Sequence, residues 1–258
     1  GYTPVLTGVG DKWVLRRAAE APDRFGIGSE ETGHNISRGW LRKRDGAEAT
    51  VFLGNGLKSA INTYAATRGM PPREAHRPFP PGFKKTFHLC YTHKELWRRG
   101  SPAFLEVERA IAQSCALGRV EPVVHDEEPD MLYLAVRDAA GRQRAGIFVR
   151  NSGTEDKTGV NVRGTREDAA ALAAMGEAAL LRLARTIKDT AHPMARAERA
   201  VLEALAGGPL PAGALPIPPG VARERLLEEL ANKEKVIRPC AGGYERTELG
   251  AKAMEAWS

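Results

Sequence analysis

Met131-Leu-Tyr-Leu-Ala-Val-Arg137 and Ala145-Gly-Ile-Phe-Val-Arg150, the latter running straight into Asn-Ser-Gly-Thr-Glu155, decide how this chain folds. Both runs are rich in β-branched and aromatic residues, and Asp138-Ala-Ala-Gly141 between them carries turn residues, so they read as a β-hairpin. Lys84 to Tyr91 and Val120 to His125 on one side, and Thr158 to Gly164 on the other, read as further strands. Two helices accompany them. Ser101-Pro102 is a helix start, with Ser as N-cap and Pro in the first turn. That helix carries Phe104, Leu105, Val107, Ile111 and Leu117, and Gly118 is expected to stop it. Thr165-Arg-Glu-Asp168 has the spacing of a capping box and opens a long helix through Leu172, Met175, Ala179, Leu183 and Ile187. A sheet backed by two helices makes residues 83–191 an α+β domain.

Working outward, two proline clusters punctuate the chain, at residues 70–82 and 209–220. Proline fixes φ and removes a donor, so neither is a helix interior or a central strand. The first reads as an interdomain linker, the second as a loop between helices. In residues 1–69 strands and helices alternate: a helix over Lys12 to Glu20 ended by Pro22, strands at Phe25–Gly28, Ile36–Arg42 and Ala49–Leu53, and an amphipathic helix from Leu57 to Arg68. Alternation argues for an α/β layer. The segment is too short for a complete doubly wound domain, and further strands are expected ahead of Gly1, where the chain opens without an initiator Met. Residues 192–258 read as helix (195–206), helix (221–233), a small hairpin around Ala241-Gly-Gly243 and a last helix (248–257), the order of a winged helix. The fold class is therefore α/β plus α+β, with a winged-helix-like module at the C-terminus.

Composition narrows the partners. Of 258 residues, 42% are hydrophobic and 27% charged, which excludes wholesale disorder. No apolar run reaches the length of a membrane span, and the first residues lack the pattern of a secretory leader. Cys90, Cys115 and Cys240 are too few and too scattered for a disulfide framework, so a reducing cytoplasm is the expected compartment. The histidines do not cluster, His88 and His93 being five apart, so no metal site is expected in this chain. A net charge of +6 suits anionic partners. Nucleic acid is not the expected one, because residues 192–258 hold nine Lys and Arg against nine Asp and Glu, and binding DNA requires neutralising phosphates.

Three loops carry chemistry. Arg150-Asn-Ser-Gly-Thr-Glu155 follows a strand and is expected to turn sharply at Gly153. Such a turn aims successive backbone N–H groups at one point, a nest for an anion. Ser152 and Thr154 add hydroxyls, and Arg150 adds a planar two-pronged donor matched to phosphate. Ser29-Glu-Glu-Thr-Gly-His34 gathers a carboxylate, a hydroxyl and an imidazole at a strand's end, and carboxylates accept hydrogen bonds from sugar hydroxyls. Thr7-Gly-Val-Gly-Asp-Lys12 is glycine-rich but lacks the Gly-Lys-Ser/Thr ending of a nucleotide P-loop.

In this order the three loops resemble those of the alpha-D-phosphohexomutase superfamily: phosphoglucomutase, phosphomannomutase and phosphoglucosamine mutase. Thr7–Lys12 is similar to the family's third-domain loop, Ser29–His34 to its Gly-Glu-x-Ser-Gly-His sugar loop, Gly54-Asn-Gly-Leu57 to the Gly-Asp-Gly that opens the next helix, and Arg150–Glu155 to the Arg-x-Ser-Gly-Thr-Glu phosphate loop of the fourth domain. The resemblance covers roughly residues 1–190. It implies that residues 1–69 are part of the sugar-binding domain and residues 83–191 the phosphate-binding domain. It further implies that Glu30 and Thr32 bind sugar hydroxyls beside His34, that Arg150, Ser152, Gly153 and Thr154 clamp the phosphate that does not react, and that Lys12 approaches the reacting end. The implied reaction moves a phosphoryl group between positions of a hexose phosphate through a phosphoserine, with magnesium. The family's Ser-His-Asn nucleophile and Asp-x-Asp-x-Asp metal loop are absent here, so no catalytic residue is expected in this chain, and nucleophile and Mg would come from missing N-terminal mutase domains. Smaller departures are Thr32 for Ser, Asn55 for Asp and Ser29 for Gly. The rival readings are a non-catalytic phosphosugar-binding protein with a regulatory winged helix, and a DNA-binding regulator.

Overall fold

The computed structural model describes residues 3–30, 33–75 and 81–257. They fall into two units: residues up to 80 together with 125–129, and residues 81–124 together with 130 onward. The chain is mixed α and β, and among the described residues all strands pair antiparallel.

In the first unit, α1 (Asp11–Glu20) leads to β1 (Ile27–Ser29), β2 (Asn35–Arg42) and β3 (Glu48–Gly54), which form one sheet in that order, followed by α2 (Gly56–Thr67). The α/β layer expected from alternation is here an antiparallel meander. Its connections are short turns, which can join only antiparallel neighbours. The first strand begins two residues later than Phe25, because Phe25 N still donates to Ala21 O at 3.1 Å in the turn that follows α1. Gly28 lets β1 lie against α1, since a Cβ there would come within 2.1 Å of Val14 Cγ1. Asn55 caps α2 by accepting from Lys58 N at 2.9 Å, as an N-cap asparagine should. The apolar stripe of α2 has the helical period but stays in solvent: Leu57 is 73% exposed and Tyr64 69%, with Trp40 of β2 at 68%. Within the linker stretch 70–82, Pro72–Ala75 forms a short helix, α3, and residues 76–80 lie outside the described residues.

The second unit holds a five-stranded sheet: β4 (Gly82–Cys90), β5 (Arg119–Val123), β6 (Leu132–Arg137), β7 (Gln143–Asn151) and β8 (Lys157–Thr165), in the order β4-β8-β7-β6-β5. Alternate residues, such as Phe87, Leu134, Ile147 and Val162, are buried together with α4 (Pro102–Ser114) and α5 (Ala169–Ile187) in one core. Each fully buried aliphatic side chain of this kind contributes roughly 1.5–3 kcal/mol. Gly176 of α5 is a contact point, because a Cβ there would meet Phe87 at 2.3 Å.

Two expected helix ends differ. The helix opened by Ser101 stops at Ser114, so Leu117 lies beyond it and Gly118 (φ 149°) serves the approach to β5 instead. Thr165 does not act as N-cap, because it is still paired in β8 with Gly82. Asp168 holds the cap position, and its carboxylate is taken up by Arg144 at 2.7 and 2.6 Å and by the Thr165 hydroxyl.

The C-terminal residues belong to the same unit and the same core, through Ala197, Val201, Leu226, Leu230 and Trp257. α6 (Pro193–Ala204) is followed by α7 (Arg223–Glu228), a hairpin of β9 (Ile237–Cys240) and β10 (Gly243–Arg246), and α8 (Glu248–Ala256). Leu210, in the proline-rich loop, bridges to Tyr244 and adds a third edge to this hairpin. Gly243 (φ 124°) permits this approach, since a Cβ there would fall 2.2 Å from Leu210 O. The helix expected over 221–233 is α7 plus one wide π-turn, Glu229–Lys233, closed by Glu234 N donating to Glu229 O at 2.9 Å.

Candidate functional site

β7 and β8 form a hairpin whose connection is the loop 152–156. Arg150 pairs with Gly159, and Gly159 pairs on its other side with His88. Residues directly opposite one another share a sheet face, so Arg150 and His88 stand on one face, opposite that of the core residues Val149 and Leu89. The strip between them is a glycine.

The loop is held from within. Ser152 N donates to Lys157 O at 2.9 Å. Ser152 Oγ accepts from Thr154 N at 3.4 Å and from Glu155 N at 3.2 Å. The turn thus rests on the serine hydroxyl. Gly153 is not in the left-handed region, and a Cβ there would meet nothing within 4 Å. The chain bends at Gly153 as expected, and the residue's small size leaves room above the loop. Lys94 lies behind: its ammonium donates to Ser152 O at 3.0 Å and to Glu155 O. Asn151 Nδ2 returns a bond to Lys94 O at 3.1 Å, and its Oδ1 accepts from the Thr158 hydroxyl at 2.8 Å. A loop with exposed Gly153 and Thr154, an arginine at its root and an ammonium at its back offers donors and positive charge to an anion.

Charge around the loop is set by neighbours. The hydrogen bonds from Lys157 and Lys233 pull the Glu155 carboxyl down to about 2. Burial, reinforced by the charge of Lys157, pulls the His88 imidazole down to about 4. His88 is therefore neutral at pH 7, and its Nδ1 is shut from solvent with no hydrogen-bond partner among the described residues. A neutral ring can give or take one hydrogen bond to a ligand oxygen, according to its tautomer.

The sugar-loop residues lie in the first unit, at the β1–β2 turn. Glu30 N donates to His34 O at 2.8 Å and Gly33 N to Glu30 O at 3.0 Å, and Gly33 (φ 91°) takes the left-handed position. Thr32 lies outside the described residues. His34 Nδ1 is 3.2 Å from Asp11 Oδ2 and 3.9 Å from Glu30 Oε2. Lys12 turns elsewhere, with Nζ 4.8 Å from the Trp13 ring centroid. Asp11, next to it, brings the carboxylate of the glycine-rich loop to His34.

Asp11, Glu30 and His34 place one ligand atom each within 4.8 Å of one another. This set does not fit magnesium, which takes near-octahedral oxygen ligands, whereas one of three donors here is an imidazole. Two carboxylates and a ring nitrogen suit hydroxyl groups as acceptors.

Sequence reasoning missed Lys94, His88 and Asp11 as members of these sites. Asp11 was legible in principle, one residue from Lys12. His88 carries the alternation of β4, polar between Phe87 and Leu89, which marks it as facing away from the core. Nothing in the sequence ties Lys94 to residues 152 and 155. No helix among the described residues is long and apolar enough to cross a membrane. Comparison with known proteins matches no family model, no curated protein and no solved structure.

Proposed function

We propose that this chain is the C-terminal sugar- and phosphate-binding part of a phosphohexomutase, which interconverts hexose 1-phosphate and 6-phosphate by phosphoryl transfer in the cytoplasm. The observation that carries the reading is Arg150 at the root of a loop whose backbone is drawn together by Ser152 Oγ and backed by Lys94. In this reading Arg150 grips two phosphate oxygens, and Ser152, Gly153 and Thr154 supply shorter donors. When the anion arrives, the Thr154 and Glu155 amides exchange Ser152 Oγ for phosphate oxygen. These contacts hold the phosphate that does not react, and positioning of this kind is the main protein contribution to phosphoryl transfer. Glu30, Thr32 and His34, joined by Asp11, accept from sugar hydroxyls. The chain supplies neither nucleophile nor magnesium ligands, so turnover requires the N-terminal mutase domains. The second reading, a phosphosugar-binding protein without catalysis, uses the same loop.

Calorimetric titration with glucose 1-phosphate, beside Arg150→Ala, tests both. Binding by the wild type that the variant loses supports a phosphate clamp at Arg150. Binding that Arg150→Ala leaves unchanged, or none by the folded wild type, overturns the proposal for this chain. Addition of the N-terminal half then separates the two readings, because only the mutase reading predicts turnover.

A further inference from the structure

Tyr91 lies just past the end of β4 with φ at 54°, a left-handed conformation for a bulky residue. Such a conformation is strained for a residue with a bulky side chain and persists only where surroundings over-determine it. Here four contacts do so. Its N–H donates to Asp156 O at 2.8 Å, at the foot of the phosphate loop. Its carbonyl accepts from Asp189 N at 2.9 Å. Its ring stacks on His192, with centroids 4.5 Å apart. Its hydroxyl donates to Glu229 Oε2, at the start of the π-turn. One residue thus joins the loop's foot, through its backbone N–H, to the winged-helix-like module, through its ring and hydroxyl.

The module reaches the loop twice more. Lys233 Nζ donates to Glu155 Oε1 at 2.8 Å. Glu234 Oε1 accepts from Cys90 N at 2.7 Å, and Cys90 pairs with Lys157 where β8 begins. Lys188 fixes the module from below, buried between Glu198 and Glu234. The wide π-turn allows neighbouring Lys233 and Glu234 to meet two different partners. π-turns of this kind recur at functional positions.

We infer that the winged-helix-like module is a brace for the phosphate-binding loop, with Tyr91 as its hub and Lys233 and Glu229 as positioning residues. On α7 and its π-turn, Glu229 meets Tyr91 and Lys233 meets Glu155. The module recognises a peptide loop of its own chain. The cleft there, about 210 Å³, is no second anion site, since Arg225, Lys157 and Lys233 are each matched by Glu229 or Glu155. That the braced loop binds phosphate rests on the function proposed above; that it is braced does not.

Amide hydrogen exchange on the full chain, with Lys233→Met, Lys233→Arg and Tyr91→Phe, tests the inference. Lys233→Met is expected to speed exchange over residues 152–157 by about three- to five-fold, the size of one exposed polar contact, and Tyr91→Phe by more, because its bond to Glu229 is buried, while β6 and α5 keep wild-type protection. Lys233→Arg restores the wild-type rate, and raising salt speeds the loop more in the wild type than in Lys233→Met, where the Lys157–Glu155 pair alone remains. Affinity for glucose 1-phosphate falls in the same order. Unchanged loop exchange in both Lys233→Met and Tyr91→Phe, with the core intact, overturns the brace. If the wild type binds no glucose 1-phosphate, the phosphosugar reading fails while the exchange rates still decide the brace.

Discussion

The two units treat the same kind of sequence differently. α2 and α5 both carry apolar residues at helical spacing, yet α5 buries Leu172, Met175, Leu183 and Ile187 while α2 buries none. The sheets differ likewise: β6 has five buried residues of six, whereas β2 has one of eight. An apolar period therefore specifies which face a helix has to bury and leaves open whether a partner is at hand. In the second unit the partner is a five-stranded sheet extended by the C-terminal helices. In the first it is a sheet of three strands, and α2 buries no residue against it.

The largest effects expected from this contrast lie with buried charge. Lys188→Met leaves Glu198 and Glu234 buried without their cation, and a loss of about 3–5 kcal/mol is expected in denaturant unfolding. Arg16→Ala, which removes an exposed pair with Glu20, is expected to leave the unfolding midpoint unchanged within measurement error. Comparable losses would break the contrast. Next comes packing: Leu183→Ala is expected to cost about 2–5 kcal/mol, and Ile61→Ala no more than about 0.5 kcal/mol. Separate reporters in each unit would show whether the first unit also unfolds at lower denaturant.

A smaller effect depends on pH. Burial, then the charge of Glu234, raises the Glu198 carboxyl well above 4.5, although Lys188 opposes this. Above pH 4.5 the unfolded chain releases this proton while the folded chain keeps it. Glu198 therefore costs nothing at lower pH, and its cost grows as pH rises through its raised value. Glu198→Gln, which mimics the protonated form, is expected to gain stability relative to wild type between pH 5 and pH 8, read as melting temperature; a constant difference would contradict it. The smallest effect is at Glu155. Its carboxyl is lowered from 4.5 to about 2 by Lys157 and Lys233, so its contribution is present above 4.5 and lost as pH falls toward 2. Intrinsic-rate-corrected exchange over residues 152–157 is expected to speed across that window in the wild type, and less in Glu155→Gln.

Much of this was legible locally. The Ser101 N-cap, the hairpin of β6 and β7, the strand β8 and the small hairpin around Ala241-Gly-Gly243 follow from turn chemistry and period. What was not legible depends on partners far apart in the chain. Thr165 has the spacing of a cap but is held in β8 by Gly82. The end of α7 widens into a π-turn because Glu229, Lys233 and Glu234 each meet a partner on or beside β4 and β8. Glu30, His34, Arg150, Ser152 and Thr154 could be named from their loops, whereas Lys94, Tyr91 and Asp11 join those loops only through tertiary pairing.

The central claim is that the loop following Arg150 is an anion site. An NMR titration of amide resonances with glucose 1-phosphate tests it most directly. The account predicts saturable shifts concentrated at Ser152, Gly153, Thr154 and the Arg150 side chain, as the Thr154 and Glu155 amides leave Ser152 Oγ. Shifts centred elsewhere, or none at these residues in a folded chain, would contradict it.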